Sequence, residues 1–274
     1  MKALVYQGVE TLGFTDVPDA IPQAREHLIK VEAVGICGSD MHAYLGHDAR
    51  RPAPLILGHE AAGTIVGGTY DGMRVTVNPL VTCGVCLACS AGRENLCPDR
   101  QIISMAPREG AFAQYVAMPM SNLVEVPDHV PLEKAALAEP LAVSWHAARL
   151  ALEALHPSMD LRALVIGGGA IGLAASLALK AMGLDDVTIV EPDPARCAFL
   201  RDQAGQTAVA STELSFPLVI DAVGFGVTRA LASALVQPGG VMAHVGLGDD
   251  TPGFDVRRAT LQEITFSGTY THTA

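Results

Sequence analysis

Positive charge is scarce in this 274-residue sequence: 18 Lys and Arg stand against 29 Asp and Glu, a formal net charge of −11. The cations that exist form no run, which excludes non-specific binding to nucleic acid or anionic membranes. No apolar stretch approaches the roughly 20 residues that cross a bilayer. The first ten residues, MKALVYQGVE, carry one lysine and then strand-like alternation, without the apolar region of a signal peptide. A soluble cytoplasmic protein is the expectation. Internal repeats and low-complexity segments are also lacking.

Apolar residues make up 50% of the chain, enough for a sizeable core, and the length accommodates two domains. Up to about residue 131 the pattern is short apolar runs punctuated by Pro and Gly. Ala3–Tyr6, Leu28–Glu32, Ala61–Val66, Met73–Val77, Gly110–Ala117 and Leu123–Val126 read as strands of a β-rich, barrel-like domain. Residues 40–48 are expected to form a short helix. From Leu132 the period changes. Leu132–Leu155 reads as helix interrupted at Pro140. Strands at Ala163–Ile166, Val187–Val190, Leu218–Val223, Val241–Val245 and Ile264–Tyr270 alternate with helices at Ala170–Met182, Pro194–Ala204 and Val227–Val236. Such alternation implies an α/β domain with a doubly wound parallel sheet over 132–274.

Six cysteines are present, and four crowd together as Cys83-x2-Cys86-x2-Cys89-x7-Cys97. That spacing lets four thiolates collect one tetrahedral zinc, and four protein ligands leave no open position, so such an ion is structural. The alternatives are four free thiols or two disulfides. A second set is assembled from distant segments. Cys37 lies in Gly-Ile-Cys-Gly-Ser-Asp-Met-His, and His59 and Glu60 lie in Leu-Gly-His-Glu-Ala-Ala-Gly. A thiolate, an imidazole and a carboxylate suit a catalytic zinc with one open position. Glu139 is a fourth candidate ligand, a carboxylate in an apolar stretch where an unpartnered charge would be costly. Ser39 and His42 offer a hydroxyl and an imidazole to carry away the proton of a metal-bound alcohol. Ser39 could instead cap the helix that follows it, and Asp40 is given no catalytic role.

The third motif is Gly167-x-Gly169-Ala170-Ile171-Gly172, between a strand and a helix. Glu191 follows about 20 residues on, at the end of the next strand, which is the context a dinucleotide-binding turn requires. Glu191 would accept from the ribose hydroxyls and repel a 2′-phosphate, favouring NAD. Arg196 could receive that phosphate instead. Glu191 could also serve as a carboxylate at a helix N-terminus.

Taken together, these motifs resemble the zinc-dependent medium-chain alcohol dehydrogenases, in the branch of the polyol (sorbitol-like) and threonine dehydrogenases, over essentially the whole chain. The resemblance implies a GroES-like domain at 1–131, carrying the zinc lobe at 82–99, and a Rossmann domain at 132–274, with the active site between them. It matches Cys37, His59 and Glu139 to the catalytic zinc, Glu60 to a carboxylate that ligates directly or exchanges with water, and Ser39 with His42 to the proton relay. The implied function is hydride transfer from a secondary alcohol to NAD, in a homodimer or homotetramer, with Tyr44, His47 and Phe112 near the substrate. The pattern departs at two links and at the C-terminal end. The links Val66–Arg74 and Gly205–Leu218 are short. Thr271-His272-Thr273 stands where the branch often has Arg. Relatives of this type continue for several tens of residues beyond the position of Ala274. A threonine or simple-alcohol dehydrogenase, or a truncated non-catalytic dinucleotide-binding relative, are the alternative readings.

Overall fold

The computed structural model describes residues 1–273, which divide into two compact units, Met1–Glu139 (with Thr273) and Pro140–His272.

The first unit is antiparallel. In chain order it comprises β1 (Lys2–Gly8), β2 (Thr11–Asp16), β3 (Glu26–Gly35), α1 (Gly38–Tyr44), β4 (Leu55–Ile56), β5 (Glu60–Val66), β6 (Arg74–Val77), β7 (Leu80–Val81), α2 (Leu87–Ser90), β8 (Gln101–Ile102), β9 (Tyr115–Pro119), β10 (Leu123–Glu125) and α3 (Leu132–Ala135). Five strands form a curled sheet in the order β10-β6-β5-β3-β9, with β2-β1-β4 and β7-β8 as smaller sheets. Ile29, Ile65, Val75, Val116 and Met118 fill its core. The strand expected at Gly110–Ala117 starts later, at Tyr115. Gly110 and Ala111 instead run against the Ile56–Gly58 backbone: a Cβ on Gly110 would lie 2.2 Å from the Leu57 carbonyl oxygen.

The second unit follows from α4 (Ala138–Ala154) through β11 (Arg162–Ile166), α5 (Ala170–Ala181), β12 (Asp186–Val190), α6 (Pro194–Asp202), β13 (Thr207–Val209), β14 (Phe216–Asp221), α7 (Gly226–Leu235), β15 (Val236–His244), α8 (Val256–Leu261) and β16 (Thr265–Gly268). All six strands are parallel, in the order β13-β12-β11-β14-β15-β16. The run Ala163–Ile166 is buried without alternation because both faces of the sheet are covered. Ala163 and Val165 join one apolar cluster, Leu164 and Ile166 the other.

Pro140 does not interrupt a helix as expected. The break falls at Ala136–Leu137, between α3 and α4, and Pro140 sits in the first turn of α4, where its missing N–H has no intrahelical acceptor to lose. The short link Gly205–Leu218 still holds a strand, β13, which three residues suffice to make. Among the described residues no helix is long and apolar enough to cross a membrane.

Candidate active site

Strand register builds the first cluster. β3 and β5 pair antiparallel with Gly35 opposite Glu60. Cys37 lies two residues beyond the end of β3, and His59 just before the start of β5, so the pairing brings both to one edge. Glycine at 35 leaves room for Glu60: a Cβ there would lie 2.0 Å from the carboxylate and displace it. Gly58 adopts φ +89, a left-handed turn that places His59, and its Cβ would collide with the Phe112 ring. Ligand atoms of Cys37, His59 and Glu60 lie within 4.8 Å of one another, with His59 and Glu60 buried. Glu139 is buried beside them but outside that set.

The electrostatics of this cluster call for a cation. Burial alone would push the His59 imidazole down; hydrogen bonding and charge from Asp40 and Cys37 overrule it and hold the ring well above the usual range. Burial, with Glu60 and Asp40 close by, pushes the Glu139 carboxyl up to about 7 despite the opposing pull of His59. Burial likewise raises Glu60. Without an ion, the ring carries the positive charge that its surroundings demand. A soft thiolate, an imidazole and hard carboxylates fit zinc.

Asp40 is the residue that sequence reasoning passed over. Its carboxylate is 3% exposed, accepts the backbone N–H of Cys37 (3.0 Å) and Gly58 (3.2 Å), and lies 3.6 Å from His59 Nδ1. It ties the Cys37 turn to the His59 turn and biases one ring nitrogen, leaving the other for a metal. The signal was available: Asp40 stands at the third helical position after Cys37, where a side chain reaches back to the cap. Ser39 is therefore not the cap of α1; that place belongs to Cys37. Ser39 and His42 stand one turn apart on α1. Tyr44 and Phe112 line an apolar groove of about 640 Å³ in the first unit; His47 is not among its lining.

Behind α1 lies a buried ion pair. Arg51, whose side chain is 2% exposed, donates to Asp48 at 2.6 Å. Arg50 closes on the same carboxylate at 2.8 and 2.9 Å. Burial would raise the Asp48 carboxyl, but these guanidinium contacts win and bring it down to about 2. The folded value lies below the ordinary one, so the stabilisation is complete above about pH 4 and is lost as pH falls toward 2. Asp48→Asn is expected to flatten the acid limb of a stability–pH curve over that window. Urea midpoints from pH 2 to 6 test it, and an unchanged acid limb refutes it.

The cysteine lobe brings its four thiols together. Sγ–Sγ distances are 3.5 Å (Cys86–Cys89), 3.6 Å (Cys83–Cys97) and 4.0 Å (Cys83–Cys89). A tetrahedral ion with Zn–S bonds of about 2.3 Å requires sulfurs about 3.8 Å apart. Backbone N–H groups of Val85 and Cys86 pull the Cys83 thiol down to about 7, toward the thiolate a metal needs.

In the second unit, the glycine turn meets the end of β12. Gly167 adopts φ +94; a Cβ at Gly172 would lie 1.8 Å from the Gly167 carbonyl oxygen. Gly169, at the cap of α5, has open space where a Cβ would be, with Ala170 and Ile171 starting the helix behind it. These are the needs of a backbone that approaches a pyrophosphate at a helix N-terminus. Glu191 accepts the N–H of Gly168 (2.9 Å) and Asp193 (2.9 Å), and Arg196 lies 3.2 Å away. Burial would raise this carboxyl; those three donors hold it low and anionic. The cap of α6 is Asp193, not Glu191.

The parallel sheet with its glycine turn, and the separate cluster fit for zinc, define a metal-assisted, dinucleotide-dependent oxidoreductase. Residues 23–128 match the alcohol dehydrogenase GroES-like domain, and residues 170–273 the zinc-binding dehydrogenase domain. The sorbitol dehydrogenase of Bacillus subtilis (strain 168) is 36% identical over 269 residues, spanning 90% of this chain and 75% of that protein. The L-galactonate-5-dehydrogenase of Escherichia coli (strain K12) is 34% identical, spanning 90% and 76%. The structure of acetophenone reductase from Geotrichum candidum in complex with NAD superposes with a TM-score of 0.88 at 29% identity, covering 99% of this chain and 83% of that one. The chain belongs to the zinc-dependent medium-chain alcohol dehydrogenase family. The matched model is that of a zinc-binding dehydrogenase, and the acetophenone reductase structure holds NAD.

Proposed function

We propose that this protein oxidises a secondary alcohol of a polyol or sugar alcohol, passing a hydride to NAD. The observation that carries the reading is the convergence of Cys37, His59 and Glu60 within 4.8 Å at two paired strand ends, with His59 and Glu60 buried. Bound there, zinc supplies Lewis acidity, and NAD takes up the hydride.

The chain's own residues do the rest. Cys37, His59 and Glu60, with Glu139 beside them, hold the ion. Asp40 fixes the orientation of His59. Ser39 Oγ receives the proton leaving the substrate hydroxyl while its own proton passes outward, toward His42 one turn along α1. Gly167, Gly169, Ala170, Ile171 and Gly172 cradle the pyrophosphate. Cys83, Cys86, Cys89 and Cys97 hold a structural zinc. In this reading residues 1–131, joined by Glu139, carry the metals, and the rest of 132–274 the dinucleotide. The test is NADH formation with a panel of polyols, threonine and simple secondary alcohols. Turnover of none, by protein loaded with two zinc ions, would leave a non-catalytic dinucleotide-binding relative.

Glu191 sets the cofactor choice, since a buried carboxylate held anionic repels a 2′-phosphate. Glu191→Ala is expected to weaken NAD binding about tenfold and to narrow the preference over NADP, with Arg196 freed to meet the phosphate. Fluorescence titration with NADH and NADPH measures both; an unchanged ratio removes Glu191 from the choice.

The edge strand β16 carries Phe266, 42% exposed, and is the surface through which two copies would pair as a dimer or as half of a tetramer. No disulfide joins any of the six cysteines, which suits a reducing, cytoplasmic location.

A further inference from the structure

We propose that Arg51 is a positioning residue for the reaction, fixing the direction in which the Ser39 hydroxyl passes its proton. The inference rests on Ser39 serving as the proton acceptor.

Arg51 is a cation in a chain short of them, yet it is 3% exposed. Its guanidinium reaches three ways. Nη1 donates to Asp48 Oδ2 at 2.6 Å, Nε to the Ser104 carbonyl at 3.0 Å, and Nη2 to Ser39 Oγ at 3.3 Å. The first two contacts are anchors. Asp48 supplies the counter-charge. Ser104 is fully buried and held at φ +69, a left-handed conformation that serine seldom adopts, and its hydroxyl lies 3.3 Å from His59 Nδ1. A non-glycine residue persists there only when its surroundings hold it, and the Arg51 Nε–H on its carbonyl is one such restraint.

The third contact is the functional one. A serine hydroxyl has one proton to give and two lone pairs. Arg51 cannot accept a hydrogen bond and does not lose its proton. Its N–H therefore occupies one lone pair of Ser39 permanently. The hydroxyl is left one lone pair to receive a proton and one O–H to give. When the substrate O–H breaks, its proton goes to Ser39 Oγ as the O–H of Ser39 releases its own outward, and the serine ends unchanged. The fixed positive charge beside Oγ disfavours a second proton on it, so receipt does not run ahead of release. Lysine cannot reproduce this geometry, because a point charge lacks the planar fork that meets three acceptors at once.

The test is a double-mutant cycle on zinc-loaded enzyme. Ser39→Ala is expected to lower kcat about 100-fold. Arg51→Met is expected to lower it about tenfold with the KM for NAD unchanged, and Arg51→Lys to fall between Met and wild type. With Ser39→Ala already present, Arg51→Met should lower kcat by less than about twofold, because the group it acts through is gone. A second readout is the electronic spectrum of the cobalt-substituted protein, expected to be the same in wild type and Arg51→Met. Losses that multiply, or a shifted cobalt spectrum, would show that Arg51 acts by holding the fold or the metal, and would overturn the proposal. Should Arg51→Met fail to fold, the same cycle run with Arg51→Lys decides it. An unaltered kcat in Ser39→Ala would instead refute the role of Ser39, a separate and recognisable failure.

Discussion

His59→Ala is expected to lower kcat/KM by about 1,000-fold or more and to reduce bound zinc from two ions per chain to one. The imidazole is the neutral nitrogen donor between a thiolate and a carboxylate, within 4.8 Å of both. Without it, only Cys37 and Glu60, with Glu139 beside them, are left to ligate, and the Asp40 carboxylate loses the ring that offsets its own burial. A set short of one protein ligand holds an ion poorly when a further position must stay open for substrate. The surviving zinc should be the one in the cysteine lobe, whose four ligands the substitution does not touch. NADH affinity should change by less than about twofold, because the glycine turn and Glu191 belong to a separately packed unit. Metal analysis by mass spectrometry, steady-state kinetics and NADH fluorescence separate these outcomes. Two zinc ions with near-normal turnover would mean that the metal at this cluster is held, and the chemistry done, by other residues.

What the sequence made legible depended on how far apart the partners lie along the chain. The cysteine lobe could be read from spacing, because all four ligands fall within one short loop. The glycine turn could be read from a strand, a turn and a helix in succession. The cluster at Cys37, His59 and Glu60 was visible as residue types, but its geometry depends on the Gly35–Glu60 pairing, which no local pattern specifies. Pro140 was misread because proline tolerance depends on helix position, and the true start of α4 lies only two residues before it. Short strands such as β4, β7, β8 and β13 carry two or three residues each, too few for any period to register.

Arg51 and Ser104 illustrate a different limit. The stretch Ala49-Arg50-Arg51-Pro52 lies just past the helix expected at residues 40–48, and Arg50 is exposed. Its neighbour turns inward to bridge residues 39, 48 and 104, three positions with no sequence relation. The one hint was compositional, two adjacent arginines in a cation-poor chain. Asp48 is what makes the burial tolerable, since a buried guanidinium without a counter-charge would be strongly destabilising.

Cys97→Ser is expected to release the lobe's zinc, lower the melting temperature by roughly 4–8 °C and open the lobe to trypsin at Arg93 and at Arg100 just beyond it. The reason is that this loop has little core of its own. Val85 is 83% exposed and Leu87 is 88% exposed, and α2 buries no residue at all. Cys97 and Asn95 are the exceptions, both buried, and they tie the lobe to the body of the first unit. A structural zinc contributes about 10–16 kcal/mol in small zinc-folded peptides. Only the part that couples to the rest of the fold reaches the melting temperature, and about 2 kcal/mol would account for the expected shift. The thiol count discriminates the readings of the four cysteines. With zinc bound, the lobe's thiolates should react slowly with a disulfide reagent and become reactive when a chelator is added. Free thiols would react without the chelator, and disulfides would not react with or without it. A Cys97→Ser protein that keeps two zinc ions and its wild-type melting temperature would show that the lobe stands without its metal. The sulfur distances of 3.5–4.0 Å argue otherwise: they are the spacing that a single shared tetrahedral ion would require of four thiolates.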